Sequence, residues 1–184
     1  MRVFKFGKII IESYKVLLGG VAIAIAAGHL LHTYSPRLTA TVLMMVPLIN
    51  GLGGNLGSMF GARLSSALHL GTIEPKLRGQ EALQINLSAL GILGGVIFIF
   101  AGGLLFGMNL IGGASLLTSL KASFAFLIAG LILTVLIALI ALTAAFASYT
   151  RGVDPDNVVI PIVTSTVDLL GITCLLITVH LLGV

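Results

Sequence analysis

Long apolar stretches, separated by short segments that hold nearly all the charges, form the dominant pattern of the chain. A helix needs about 20 apolar residues, at 1.5 Å each, to cross about 30 Å of hydrocarbon. Five uncharged stretches, at 16–36, 38–62, 82–120, 122–150 and 157–184, are long enough, and a single acid interrupts the last one. The pattern predicts five transmembrane helices, at residues 16–33, 38–62, 82–106, 122–148 and 158–182.

The uncharged stretch from 82 to 120 is long enough for two crossings. Five glycines between residues 102 and 113 instead indicate a helix end and a loop. Continuous apolar runs also argue against barrel strands, which are about ten residues of alternating polarity. The predicted fold is an all-α integral membrane protein, with a cytoplasmic interfacial segment at 1–15 and a five-helix transmembrane domain at 16–184.

Composition supports this class and excludes others. The 184 residues are 58% hydrophobic and 9% charged, whereas soluble domains are about 45–50% apolar and about 25% charged. The single Cys174 excludes a disulfide scaffold. The net charge of +4 is too scattered to form a nucleic-acid-binding face. We identify no nucleophile with a base and no phosphate-binding loop, so we expect neither an enzyme nor a resident cofactor.

The basic residues near the span ends predict the orientation. A cytoplasmic N-terminus places eight basic residues inside and only Arg37 and Lys121 outside. We therefore expect a multi-pass plasma-membrane protein with an external C-terminus. The eight inner residues are Arg2, Lys5, Lys8, Lys15, Arg63, Lys76, Arg78 and Arg151.

Asp168 is the only acid inside a predicted span. A carboxylate near mid-membrane costs about 2.5–3.5 kcal/mol and usually marks an ion or proton pathway. No Lys or Arg lies inside another span, so a cation is its natural counter-charge. A hydrogen-bonded Asp that joins helices is the structural alternative. At helical spacing, Pro161, Thr164 and Gly171 share its face.

The second span carries two patterns. Gly53, Gly57 and Gly61 form overlapping GxxxG units, which favour close helix packing. Packing does not explain the amides Asn50 and Asn55, and a polar stripe runs down the helix at i, i+4, i+7 and i+11. Glycine-rich backbone at membrane depth is tolerated where it lines a cavity. The stripe consists of Gly51, Asn55, Ser58 and Ala62.

Two acids precede the fifth span at its inner mouth. Asp154 and Asp156 can concentrate cations there or cap the helix. We expect no metal-ligand cluster among the histidines, which are His29, His32, His69 and His180.

The motifs of both spans resemble the membrane domain of the MgtE-type magnesium transporters, especially their eukaryotic solute-carrier relatives. In span two the resemblance rests on Pro47, Gly51, Gly53, Gly54 and Asn55, followed by Ala62-Arg63-Leu64-Ser65 and Gly71. In span five it rests on Gly152, Asp154, Pro155, Pro161, Thr164, Asp168 and Gly171.

The resemblance implies a homodimer whose pore is lined by spans two and five and carries Mg²⁺ or other divalent cations. It implies Asp168 from each subunit at the ion site, with Asn55, Gly54 and Thr164 as further candidate ligands. The remaining candidates line the pore, and they are Gly51, Ser58, Ala62, Pro161 and Gly171. Where bacterial members continue with an Asn-Gln pair, this chain has Ser58 and Met59.

Two alternatives remain open from the sequence. One is a Na⁺- or H⁺-coupled exchanger in which Asp168 changes its protonation or partner in each cycle. The other is a non-transporting membrane scaffold in which Asp168 and the glycines only hold helices together.

Overall fold

Five long helices make up the fold. The computed structural model describes residues 6–184, except the side chains of residues 6, 8, 9 and 12, and this part contains no strand. Each helix is long and apolar enough to cross a membrane, which confirms the five predicted spans. The helices are α1 (Phe6–Tyr34), α2 (Ala40–His69), α3 (Glu81–Ile111), α4 (Leu116–Thr150) and α5 (Pro155–Leu182), and a 3-10 turn at Ser35–Arg37 joins α1 to α2.

The predicted interfacial segment lies partly within α1. Residues 1–5 are outside the described part of the chain, and from Phe6 onward the helix continues into the first span without a break. The boundary predicted at residue 15 is therefore not a break in secondary structure. An interfacial position for the segment stays a prediction.

Polar side chains cap the helices α2, α4 and α5. Thr39 accepts a hydrogen bond from the amide of Val42 at the start of α2, at 3.4 Å. Ser115 accepts one from the amide of Thr118 at the start of α4, at 3.1 Å. Asp154 accepts one from the amide of Asp156 at the start of α5, at 3.1 Å. These side chains satisfy amides that have no partner within the helix.

Helices α2 and α3 continue at least five residues past their predicted ends. The prediction ended the second span at residue 62 and the third at 106, but α2 extends to His69 and α3 to Ile111. Backbone groups in a membrane must be satisfied internally, so glycines do not end a helix at that depth. The turn after α3 comes instead at Gly113, which adopts a positive φ of 84°.

Helix α5 lies at the centre of the helix contacts. It packs against α1, α2 and α4, while α3 packs mainly against α4. Phe98 of α3 and Phe126 of α4 are fully buried, with ring centroids 5.7 Å apart. The helix that carries Asp168 therefore packs against three neighbouring helices.

Candidate functional site

The glycines of α2 form its interface with α5. Gly53, Gly57 and Gly61 are all buried. A Cβ on Gly53 would lie 2.9 Å from Cγ1 of Val167, and a Cβ on Gly61 would lie 3.0 Å from Cγ1 of Val159. Gly57 lies against Val163, which is midway between these two valines. The two antiparallel helices thus meet at glycine–valine contacts, and the predicted packing role of the GxxxG units is confirmed.

One turn further along the same interface, Asn50 contacts the segment that carries Asp168. Its Nδ2 donates a hydrogen bond to the backbone carbonyl of Asp168 at 3.4 Å. Its Oδ1 lies over the bare backbone of Gly171 and has no hydrogen-bond partner among the described residues. Asn50 therefore holds the backbone of α5 at the candidate site and leaves one buried oxygen unsatisfied.

This contact bears on one predicted site residue and adds another. Gly171, predicted to line the pore, lies buried beneath Asn50 at the contact between α2 and α5 of one chain, and its pore-lining role stays a prediction. Asn50 is not among the predicted site residues. An amide in hydrocarbon beside glycine-rich backbone was the signal for it, because an amide at that depth needs a polar partner.

The carboxylate side of α5 is half-buried. Asp168, Thr164 and Pro161 all have intermediate exposure, and Asp168 forms no ion pair with any described residue. The Thr164 hydroxyl donates to the carbonyls of Ile160 and Pro161, at 3.0 and 3.2 Å. Because its proton is engaged, Thr164 offers only lone pairs to its surroundings. This face therefore presents oxygens that suit a cation.

The polar stripe of α2 points away from the glycine interface. Gly51 and Asn55 are exposed, while Gly54, Ser58 and Ala62 are half-buried. The Ser58 hydroxyl donates to the carbonyl of Gly54 at 2.8 Å. At 3.6 residues per turn, Asn55 lies about 140° around the helix from Asn50. Within one chain, α2 thus directs Asn50 toward α5 and Asn55 outward.

Three side chains with metal-binding groups converge where α2 ends and α5 begins. His69 Nε2 lies 3.1 Å from Asp154 Oδ1 and 3.9 Å from Asp156 Oδ2, and its ring meets the edge of Tyr149. The expectation concerned a cluster among the histidines, whereas the structure places His69 beside two aspartates, because α2 continues past residue 62 and carries His69 to this end of α5.

The capping role predicted for the two acids before the fifth span is confirmed for Asp154. Asp154 Oδ1 accepts a hydrogen bond from the amide of Asp156 at 3.1 Å. One ligand atom from each of His69, Asp154 and Asp156 lies within 4.8 Å of the others. One imidazole and two carboxylates are ligand types that divalent metals accept.

Comparison with known proteins gives a family match. The model of the MgtE family, described as divalent cation transporters, matches residues 46–178. Solute carrier family 41 member 2 of Homo sapiens is 30% identical over 146 residues, which is 76% of this chain and 25% of that protein. The Mus musculus protein of the same name is 28% identical over 186 residues, covering 93% of this chain and 32% of that protein.

The relatives are considerably longer than this sequence. The chain spans about a quarter to a third of the length of the curated relatives it matches. No solved structure matches it.

Proposed function

The chain belongs to the MgtE family of divalent cation transporters, and from this premise we propose that it carries Mg²⁺ across the membrane with Asp168 as the ion-binding carboxylate. The family consists of transporters rather than enzymes. The observation that carries the proposal is Asp168 itself, a half-buried carboxylate in a spanning helix with no ion pair among the described residues. A transported cation supplies the missing charge.

The chemistry around Asp168 suits a hard, hydrated ion. Mg²⁺ prefers octahedral oxygen coordination at about 2.0–2.1 Å, loses water reluctantly and is commonly held by one or two carboxylates. Thr164 adds lone pairs on the same face, since its proton is already donated to backbone. The Asn50 hydrogen bond fixes the backbone of Asp168. Together these groups support binding of an ion that keeps part of its water shell.

The outward stripe of α2 supports a two-fold assembly. Gly51 and Asn55 are exposed on the described chain, and polar groups facing lipid are unfavourable. A second copy placed against this stripe removes Asn55 from lipid and brings it toward the pore that the two copies share. In this arrangement α2 and α5 of both copies line the pore, with Asn55 and Gly54 flanking the ion. Ser58, Ala62 and Pro161 line the path on either side.

The inner mouth completes the proposed path. We place the protein in the plasma membrane, and the positive residues near the span ends favour an orientation with its N-terminus and the start of α5 on the cytoplasmic side. Asp154 and Asp156 then raise the local cation concentration at the cytoplasmic opening, and His69 sits beside them.

Cysteine cross-linking tests the assembly. In a Cys174→Ser background, Met59→Cys places a thiol on the outward face of α2, where Met59 is 48% exposed. Ile99→Cys, on the 62% exposed side of α3, is the matched control. We expect a disulfide-linked dimer with Met59→Cys and none with Ile99→Cys. Equal cross-linking of both would contradict an interface along α2.

Flux into proteoliposomes tests transport. We expect Mg²⁺ uptake by the purified protein, monitored with an internal fluorescent indicator, and competition by other divalent cations. Uptake that persists without a Na⁺ or pH gradient indicates uncoupled transport, whereas dependence on either gradient indicates a coupled exchanger. A folded, dimeric protein with no flux would contradict the proposal and favour the scaffold.

A further inference from the structure

A groove between α1 and α5 is not used by the proposed ion path. α1 packs chiefly on α5, and a cavity of about 250 Å³ lies between the two helices. The lining is apolar except for Lys15 at one end and Ser165. The lining includes Lys15, Gly19, Gly20, Ile23, Ile162 and Ser165.

Two adjacent glycines of α1 shape this groove. Gly20 is buried, and a Cβ there would lie 2.5 Å from Oγ of Ser165, so the helices approach closely at that point. Gly19 has open space where its side chain would be, with nothing within 4 Å. The missing side chain of Gly19 therefore keeps the groove open, while Gly20 joins the two helices.

The groove has a charged end and an apolar end. Lys15 is exposed at one end, and Ile23 lies eight residues further along the helix, a rise of about 12 Å. Lys15 is also the last of four basic residues within the first fifteen. This polarity matches a molecule with a negative head and an apolar tail.

We propose that the groove binds an anionic phospholipid. Its phosphate contacts the ammonium of Lys15, and an acyl chain lies along Gly19 toward Ile23 and Ile162. Lys side chains near the ends of spanning helices commonly reach lipid phosphates. A second copy fits less well, because a two-fold contact here would bring two basic helix ends together. The inference depends on the groove and not on transport.

Native mass spectrometry of the purified full chain tests the proposal. The probes are palmitoyl-oleoyl phosphatidylglycerol and the phosphatidylcholine with the same acyl chains. Gly19→Leu places a side chain in the groove, where its Cβ would meet nothing within 4 Å, and Gly28→Leu is its matched control, since a Cβ on Gly28, also on α1, meets nothing within 4 Å either. Lys15→Gln removes the ammonium, and Arg37→Gln removes an exposed charge beyond the other end of α1.

We expect phosphatidylglycerol to bind more tightly than phosphatidylcholine. Gly19→Leu should remove the bound lipid and Gly28→Leu should retain it. Lys15→Gln should weaken phosphatidylglycerol binding about fivefold, from about 1 kcal/mol per basic residue at 1.4 kcal/mol per tenfold change. Arg37→Gln should leave it unchanged.

Three results would overturn the inference. Equal lipid binding by Gly19→Leu and Gly28→Leu would place the lipid elsewhere. Equal affinity for the two lipids, unchanged by Lys15→Gln, would mean that any acyl chain fills the groove. A loss of dimer mass in Gly19→Leu, with lipid binding intact, would assign the groove to a second copy.

Discussion

Two adjacent glycines of α2 give opposite predictions for the same substitution. A Cβ on Gly53 would lie 2.7 Å from Cδ2 of Leu133 and 2.9 Å from Cγ1 of Val167, whereas a Cβ on Gly54 meets nothing within 4 Å. Leu133 can turn its terminal methyl aside. Val167 is held because a β-branched side chain in a helix has one strongly preferred rotamer.

The expected magnitude follows from two opposing terms. Replacing glycine by alanine inside a helix gains up to about 1 kcal/mol at either position, and overpacking a close interface costs about 1–3 kcal/mol. The propensity term cancels between the two variants. Gly53→Ala should therefore have a free energy of unfolding about 1–3 kcal/mol lower than Gly54→Ala.

Unfolding in mixed micelles, with sodium dodecyl sulfate as denaturant and helical circular dichroism as the signal, measures this difference. A double-mutant cycle with Val167→Ala should show coupling of about 0.5–3 kcal/mol for Gly53→Ala and none for Gly54→Ala. Unfolding free energies within about 0.5 kcal/mol of each other would refute the assignment of Gly53 to the α2–α5 contact.

Three further substitutions test one end and the centre of the proposed path. Asp154→Ala should lower the free energy of unfolding by about 1 kcal/mol through loss of the α5 cap, and Asp156→Ala should cost less, as measured by the same titration. Asn50→Leu removes both a long hydrogen bond and an unsatisfied buried oxygen, so stability should change by less than about 1 kcal/mol. Mg²⁺ flux should nevertheless fall, because the carbonyl of Asp168 loses its hydrogen bond to Asn50 of α2. Unchanged flux would contradict the positioning role of Asn50.

The sequence was sufficient to predict the membrane architecture. Hydrocarbon thickness fixes the minimum length of a span, so each long apolar stretch indicates one helix, although it does not fix where the helix ends. The packing role of Gly53, Gly57 and Gly61 was also predictable, since residues four apart share a helix face. These predictions use only spacing along the chain.

Contacts between distant segments could not be predicted in the same way. The prediction ended the second span before Arg63, yet a long basic side chain can reach the interface while its helix continues. That continuation brings His69 to Asp154, 85 positions later in the sequence. The contact between Asn50 and Gly171 likewise depends on the register of two antiparallel helices, which spacing within either helix does not reveal.

The most direct test of the central claim is Mg²⁺ flux through Asp168→Asn in proteoliposomes, beside the native protein and Glu74→Gln. Asparagine keeps the shape of the side chain and removes its charge, while Glu74 lies in an exposed loop and pairs with Lys76. We predict at least a tenfold loss of flux for Asp168→Asn, about 1.4 kcal/mol, with unchanged helix content and dimer fraction, and native flux for Glu74→Gln. Native flux through folded Asp168→Asn would contradict the assignment of Asp168 as the ion-binding carboxylate.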